Sequence, residues 1–197
     1  MYEICPETPA DTAEVETLYD LCFAPGRTAL SSYRLRDGVP RVGELCLVLR
    51  SEGVVTAAIR FWPVRVAGQP VLLLGPIAVH PTAQGEGLGG LLMRDSLTRA
   101  TRLGFDRVLL VGDAPYYSRF GFQRLEGVIM PPPTNPDRVL GLELRPDAWV
   151  DITGEVEREP SAPATTPVYD RDDCVVVEPP KEAGYDIANP SGSSSDL

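Results

Sequence analysis

The chain begins with a short predicted strand at residues 2–5, followed by a stretch in which apolar residues recur at helical spacing. Val15, Leu18 and Cys22 fall on one face of a predicted helix over residues 9–23. The first two elements are therefore a strand and a helix with one apolar side.

Strand patterns dominate the next part of the chain, after a looser helical pattern over residues 28–37. Residues 44–50 and 54–66 flank the turn Ser51-Glu52-Gly53 and are predicted to form a hairpin. Residues 71–79 are apolar on both alternating sides, which indicates a central strand covered on both faces.

The pair Gly75-Pro76 interrupts this central strand. Proline has no N–H to donate to a neighbouring strand, so we expect a bulge or a local splay there. The remaining pattern predicts a helix over residues 88–103, a buried strand over 105–112, a short helix or turn over 114–119, and two weaker strands near 124–130 and 138–145.

The composition changes at about residue 151, where we expect a boundary between a folded domain (residues 1–150) and a tail (residues 151–197). The tail has six prolines, five serines and 11 acidic against 3 basic residues, whereas the domain has 17 acidic and 15 basic residues. Such a tail buries too little apolar surface to order itself, and is predicted to be disordered. The apolar patch Cys174–Val177 leaves docking onto a sheet edge as an alternative.

The near-neutral domain has no basic surface for nucleic acid, although the whole chain has a net charge of -10. It contains no apolar run long enough to span a membrane, and no signal-peptide pattern at its start, so the cytoplasm is predicted. The spacing of the cysteines fits neither a metal site nor a disulfide in that compartment. We expect four reduced thiols, at least three of them in the core: Cys5, Cys22, Cys46 and Cys174.

A glycine-rich loop lies between the central strand and the helix over residues 88–103. Its glycines allow tight turns and aim backbone N–H groups into one concavity, to which the helix adds its positive N-terminal end. This arrangement suits a pyrophosphate. The loop residues are Gln84, Gly85, Glu86, Gly87, Leu88, Gly89 and Gly90.

The same loop also satisfies G-x-G-x-x-G, the dinucleotide-binding fingerprint, through Gly85, Gly87 and Gly90. That fingerprint requires its first glycine directly after a strand and further βα units downstream. Here His80 to Gln84 intervene, and a single strand of the buried type follows. A nicotinamide enzyme is therefore the weaker interpretation.

Two motifs resemble those of the GNAT acetyltransferases. Gln84-x-x-Gly87-x-Gly89 resembles their Q/R-x-x-G-x-G/A signature, preceded by a similar V-x-P at Val79-His80-Pro81. Tyr117-x-x-x-Gly121-Phe122 resembles the Y-x-x-x-G-F that follows one strand later. With the element order over about residues 1–146, these motifs identify the chain as a member of that superfamily, similar to a bacterial branch of predicted acetyltransferases.

The resemblance implies the GNAT acyl-CoA N-acyltransferase fold, an α/β (α+β) domain. Its central sheet is mixed, mostly antiparallel and twisted, splayed between strands 71–79 and 105–112, and flanked by helices. The peptide groups of Ile77, Ala78 and Val79 are expected to pair with pantetheine. Backbone N–H groups from Gln84 to Gly90 (Gln84, Gly85, Glu86, Gly87, Leu88, Gly89 and Gly90) are expected to hold the pyrophosphate.

In the family, the tyrosine of Y-x-x-x-G-F commonly protonates the leaving thiolate, which makes Tyr117 the candidate general acid. The reference pKa of a phenol, about 10, is near that of an alkyl thiol, so this transfer is chemically reasonable. Tyr116 is the alternative if the register is displaced by one, and the N–H of Val79 is the candidate donor to the thioester carbonyl.

The base that accepts the proton of the amine is left open. Glu44, expected on a strand, and His80 and Asp113, each at a strand end, are the alternatives, although Asp113 also suits the N-cap of the short helix. Glu86 is expected to face solvent, because a carboxylate repels a pyrophosphate. Arg60-Phe61-Trp62 either borders the acceptor pocket or belongs to ordinary strand packing.

The resemblance implies transfer of an acetyl group from acetyl-CoA to a primary amine of a small molecule or a protein, by direct attack in a ternary complex and with no metal. A non-catalytic acyl-CoA sensor or interaction module is the alternative, which the presence of Tyr117 disfavours. A homodimer formed through a sheet edge is a further possibility that the sequence leaves open.

Overall fold

A computed structural model describes residues 1–23, 26–160 and 173–179. Four α-helices occur in this part of the chain: α1 (Thr12–Phe23), α2 (Ser31–Arg34), α3 (Leu88–Arg102) and α4 (Ala114–Tyr117). The strands are β1 (Tyr2–Pro6), β2 (Leu47–Ser51), β3 (Val54–Val66), β4 (Gln69–Val79), β5 (Arg107–Val111), β6 (Gln123–Arg124), β7 (Val128–Ile129), β8 (Val139–Glu143), β9 (Gly154–Arg158) and β10 (Val175–Val177).

The strands form one twisted sheet in the order β10-β1-β2-β3-β4-β5-β8-β6, to which β9 adds by pairing with both β3 and β7. The pairs β4–β5 and β7–β9 are parallel, and the others are antiparallel. The predicted fold class, a mixed and mostly antiparallel sheet flanked by helices, is confirmed.

Helices α1 and α3 cover opposite faces of the sheet. The packing of β4 shows this, because its side chains point alternately to the two faces. Ile77 and Val79 pack in the main core cluster together with Leu88 and Leu92 of α3. Ala78, between them, packs in a second cluster with the apolar face of α1. The residues of β4 are therefore buried on both sides, as their continuous apolar pattern predicts.

The expected irregularity at Gly75-Pro76 is a β-bulge. Ile59 pairs with Ile77 and Phe61 pairs with Leu74, so two residues of β4 stand opposite the single residue Arg60 of β3. Gly75 has φ 120°, a value that favours glycine. The bulge bends β4 at the level where its pairing with β5 ends.

The structure differs from the prediction of a disordered tail in two segments. Gly154–Arg158 pairs with β3 through Val64–Val66, and Val175–Val177 pairs with β1 through Tyr2–Ile4. For these residues the expectation of disorder is wrong, and the alternative of edge docking applies to β10. The rest of the predicted tail lies outside the described residues.

The expectation of four reduced thiols is also wrong, since Cys5 and Cys174 form a disulfide with Cα atoms 4.3 Å apart. The antiparallel pairing of β10 with β1 brings the two residues together from 169 positions apart in sequence. Sequence spacing contains no signal for such a pair. Cys22 and Cys46 are free and buried, as expected.

We predict that two thiols of the unfolded, unreduced protein react with an alkylating reagent and that all four react after reduction, because only Cys22 and Cys46 are free. Peptide mass spectrometry under non-reducing conditions should recover Cys5 linked to Cys174. Cys174→Ser, which leaves Cys5 unpaired, is the matched control and should expose three thiols. Recovery of four reactive thiols without reduction contradicts the disulfide.

No helix of the described part is long and apolar enough to cross a membrane. The same residues contain no cluster of three or more histidine, cysteine or carboxylate side chains suited to a metal ion.

Candidate active site

Strands β4 and β5 diverge after a short parallel contact. Leu72 pairs with Val108 and Leu73 with Leu109, and no further β4–β5 pair occurs among the described residues. Beyond Leu73, the side of β4 that faces β5 has no strand partner among the described residues. On its other side, β5 pairs with β8 along its whole length. The two strands therefore open into a V-shaped cleft.

A cavity of about 750 Å³ occupies this cleft and extends under α2. It is walled by the diverging strands, by the residues of α4 and by the segment from Arg27 to Arg36. Its lining residues on the strand side are Leu73, Leu74, Gly75, Pro76, Ile77, Leu110, Val111 and Gly112. Its lining is thus apolar along the strands, with the polar groups contributed mainly by α2, α4 and their flanking loops.

The register of β4 decides which peptide groups face the cleft. The N–H of His80 donates to the carbonyl of Thr56 on β3 at 2.7 Å, directly opposite in the antiparallel register. Because peptide groups alternate in direction along a strand, those of Val79 and Ile77 point away from β3. Ile77 lines the cavity, whereas the carbonyl of Val79 already accepts from Gln84 Nε2 and Cys22 Sγ. The peptide group of Ala78 points toward β3, so among the three predicted pantetheine contacts the geometry favours Ile77 and Val79.

The glycine-rich loop joins the end of β4 to the start of α3. Gly85 and Gly87 have φ values of 91° and 77°, which only glycine adopts without strain. Helix α3 then begins at Leu88, and its first internal hydrogen bond runs from the N–H of Leu91 to the carbonyl of Gly87. The predicted glycine turn at a helix N-terminus is thereby present directly after β4, and its residues are not among the described residues that line the cavity.

Two side chains of this loop fix its shape. Gln84 donates through Nε2 to the carbonyl of Val79 at 3.1 Å, which ties the loop back to β4. The carboxylate of Glu86 accepts a 2.6 Å hydrogen bond from the hydroxyl of Tyr2, and this bond raises the pKa of Tyr2 to about 12. The expectation that Glu86 faces solvent is therefore wrong: it is half-buried and tethers the loop to β1.

Tyr117 lies on the cavity wall at the end of α4 and is 8% exposed. Its ring packs edge-on against Phe122 and against Tyr116, with centroid distances of 5.9 and 5.0 Å. The same ring rests on the backbone of Gly112. Burial raises the pKa of Tyr117, and the neighbouring Tyr116 adds to this effect, so the phenol is protonated at neutral pH.

Tyr116 also lines the cavity and is half-buried. Its ring contacts Phe120 at 5.6 Å and lies 5.1 Å from the guanidinium carbon of Arg119. Both tyrosines therefore reach the cavity, and geometry alone leaves Tyr117 as the predicted acid with Tyr116 as its alternative.

The three candidate bases occupy different environments. His80 accepts a hydrogen bond through Nδ1 from the N–H of Thr82 at 3.3 Å and caps a short 3₁₀ turn, which is a structural role. Glu44 lies in a 3₁₀ turn, Gly43–Leu45, so its expected place on a strand is wrong. Asp113 stands at the N-cap position of α4 without a side-chain cap bond and lines the cavity, so it alone among the three reaches the site.

Arg60-Phe61-Trp62 contributes to the site only indirectly. Arg60 is buried away from the cavity and bonded to the carboxylates of Glu7 and Glu16, while Phe61 is fully buried in the main core. Trp62 stacks on the guanidinium of Arg36, which lines the cavity.

Sequence reasoning missed the cavity wall formed by residues 27–36. The looser helical pattern predicts a helix over residues 28–37, of which the structure forms only the short helix α2 (Ser31–Arg34), and it gives no sign that Tyr33 and Arg36 line the cavity. It also missed Gly112, whose position between a buried strand and Asp113 is the one available signal. A glycine there permits a close approach of a neighbouring side chain.

Comparisons with known proteins agree with this geometry. The model of the acetyltransferase (GNAT) family matches residues 12–122. The uncharacterized N-acetyltransferase YhbS of Escherichia coli is 32% identical over 120 residues, which are 59% of this chain and 71% of that protein.

Two solved structures extend the match to three dimensions. The structure of E. coli YhbS in complex with CoA superposes with a TM-score of 0.69 at 29% identity, covering 79% of this chain and 88% of that one. A GNAT acetyltransferase from Brucella melitensis in complex with acetyl-CoA gives a TM-score of 0.61 at 28% identity, covering 81% of this chain and 96% of that one. The chain that folds around this cleft therefore belongs to the GNAT family of acetyltransferases.

Proposed function

We propose that this protein transfers an acetyl group from acetyl-CoA to a primary amine by direct attack in a ternary complex. The observation that supports this most strongly is the cleft between β4 and β5, with a glycine turn at one end and Tyr117 on its wall. The relatives complexed with CoA and acetyl-CoA point to the same co-substrate. We also propose that the protein is a bacterial enzyme located in the cytoplasm.

In this proposal pantetheine extends along β4 as an added strand. The peptide group of Ile77 and the N–H of Val79 supply its hydrogen bonds, since the register directs both away from β3. The pyrophosphate lies at the loop Gln84–Gly90, where backbone N–H groups and the N-terminal end of α3 provide positive potential. The thioester then reaches the cavity near Pro76 and Tyr117.

The chemistry follows from these positions. The neutral amine attacks the thioester carbon, forming the C–N bond, and a backbone N–H of β4 stabilises the oxyanion. Collapse breaks the C–S bond, and the thiolate takes the proton of the Tyr117 hydroxyl. The nitrogen loses its extra proton to water or to Asp113, and the phenolate is reprotonated from solvent.

We predict that Gly87→Glu strongly weakens acetyl-CoA binding. At φ 77° a side chain is strained, and the added carboxylate repels the pyrophosphate. Isothermal titration calorimetry with acetyl-CoA should give binding for the native protein and a Kd at least about tenfold weaker for the variant. NADH is the control ligand and should not bind.

Gly104→Glu is the matched control variant. Gly104 follows the other end of α3, has a similar φ of 82°, and has open space where the side chain would lie. It should bind acetyl-CoA as the native protein does. Loss of binding in both variants, or no binding by the native protein, refutes the proposed co-substrate site, and binding without turnover of any amine favours the acyl-CoA sensor.

A further inference from the structure

The guanidinium of Arg36 lies on the cavity wall and has no carboxylate partner among the residues that the structure describes. Its Nε and Nη1 atoms are inaccessible to solvent and have no hydrogen-bond partner within the described residues. Its side-chain hydrogen bonds are to hydroxyl groups and not to a carboxylate: a long 3.5 Å contact from Nη2 to Ser32, and an interaction with Tyr33 that favours the charged form. Buried charged groups are normally paired, so this arrangement calls for an external partner.

The neighbouring arginines, unlike Arg36, have carboxylate partners. Arg27 is bonded to the carboxylates of Glu16 and Asp20, and Arg60 to those of Glu7 and Glu16. No carboxylate of the described residues forms an ion pair with Arg36. Within the described ranges, two buried guanidinium groups of this region therefore have carboxylate partners, and the third, that of Arg36, has none.

Aromatic rings orient the Arg36 guanidinium. Its central carbon lies 4.4 Å from the ring centroid of Tyr33 and 4.8 Å from that of Trp62. Rings stacked on a guanidinium attract its charge but leave its N–H groups, which lie in its plane, as donors. The Nη2 atom lies 3.7 Å from the position of a Cβ built on Gly75, where β4 begins to border the cleft.

The cavity as a whole carries an excess of positive charge. Its lining residues include one carboxylate, Asp113, and four arginines. Arg27 is neutralised by Glu16 and Asp20. The excess is supplied by the other three arginines: Arg36, Arg119 and Arg138. Burial lowers the pKa of Arg36 to about 10, because removing its charge from water costs free energy. The group is still ionised at neutral pH. An anion in the cavity would recover that cost.

We infer that the acceptor is an amine that also carries a carboxylate, and that Arg36 binds this carboxylate while the amino group lies by the thioester. Arginine suits a carboxylate in a covered site, because its N–H groups stay charged and form strong hydrogen bonds with carboxylate oxygens. Nη2, the nitrogen beside Gly75, is the donor that we assign to the ligand. The inference rests on the proposed function, and it narrows the acceptor from any primary amine to amino acids and similar compounds.

The test uses amines in three matched forms: the free amino acid, its methyl ester and its decarboxylated amine. Formation of CoA is followed chromatographically at fixed acetyl-CoA. We expect the native protein to prefer the free acids. In Arg36→Met, which keeps an unbranched apolar stem but lacks the guanidinium, kcat/KM for the free acid should fall about 30-fold, the loss expected for one charged hydrogen bond.

The decarboxylated amine should react equally well with native protein and Arg36→Met, and Arg36→Lys should recover part of the activity on the free acid. Arg34→Met is the matched control, because Arg34 is exposed on α2 and points its Nη1 toward the carbonyl of Pro132, away from the cavity lining. It should leave all three forms unaffected.

Several outcomes overturn the inference. They are an equal preference for the three forms, an equal loss on all forms in Arg36→Met, faster acetylation of a phosphate-bearing amine such as phosphoethanolamine, and no acetylation of any free acid by protein that binds acetyl-CoA. Failure of the proposed function is distinguishable from these, because it appears as absent acetyl-CoA binding in the calorimetric titration of the native protein.

Discussion

Tyr117→Phe should lower kcat by at least about 100-fold, the loss expected when a general acid is removed. The substitution deletes the hydroxyl and keeps the ring that packs against Phe122 and Gly112. The wall of the cavity is then preserved, so the KM for acetyl-CoA and the melting temperature should change little. Steady-state kinetics with the best acceptor of the panel measures the effect.

The pH dependence provides a second readout of the same step. Burial raises the pKa of Tyr117, and only the protonated phenol can give a proton to the thiolate. The limb that this group contributes to kcat should therefore fall only as the pH rises above the ordinary phenol pKa of about 10. Tyr117→Phe should lack that alkaline limb.

Tyr116→Phe is the control for the assignment. Tyr116 is adjacent in sequence and also lines the cavity, so a general loss of packing should affect both variants equally. We expect Tyr116→Phe to retain most of the activity. A larger loss in Tyr116→Phe than in Tyr117→Phe would transfer the role of the acid to Tyr116.

The parts of the site that the sequence predicts are those formed by one continuous stretch of chain. β4, the glycine turn and α3 follow each other directly, so apolar periodicity and the glycine spacing of Gln84–Gly90 contain all the information needed to place them. The bulge at Gly75-Pro76 is predictable for the same reason, because a proline has no N–H to donate and an adjacent glycine allows the irregular backbone of a bulge.

The parts that sequence reasoning missed depend on contacts between distant residues. β9 buries mainly Val156, and its short alternating pattern is stable only because Val64–Val66 offers an unpaired edge. Cys5 meets Cys174 only through the pairing of β10 with β1. Arg36 becomes a candidate ligand-binding residue only because the segment after α2 places its guanidinium beside Gly75, and no local pattern of residues predicts that contact.

The contact between Gly112 and Tyr117 is of this second kind and leads to a further large expected effect. A Cβ built on Gly112 would lie 2.2 Å from Cε2 of Tyr117 and 2.9 Å from Cδ1 of Leu110. The backbone has little freedom to retreat, because the N–H of Gly112 donates to the carbonyl of Arg138 at 2.9 Å. Gly112→Ala must therefore displace the Tyr117 ring.

Gly112→Ala should lower kcat about 100-fold, since a displacement on the order of 1 Å at a catalytic group has consequences of that size. Gly141→Ala is the matched control, because a Cβ there would approach Leu125 to 2.7 Å on β8, apart from the cavity lining. Both variants should lower the melting temperature. At a temperature where both are folded, only Gly112→Ala should lose kcat.

The double variant Gly112→Ala/Tyr117→Phe separates a positioning role from a general one. If Gly112 acts only by placing the hydroxyl of Tyr117, removing that hydroxyl first leaves the alanine nothing further to disturb in the chemical step. The double variant should then have the kcat of Tyr117→Phe alone, because effects that act through one group are not additive. Losses that multiply would instead show that Gly112 acts on the reaction independently of Tyr117.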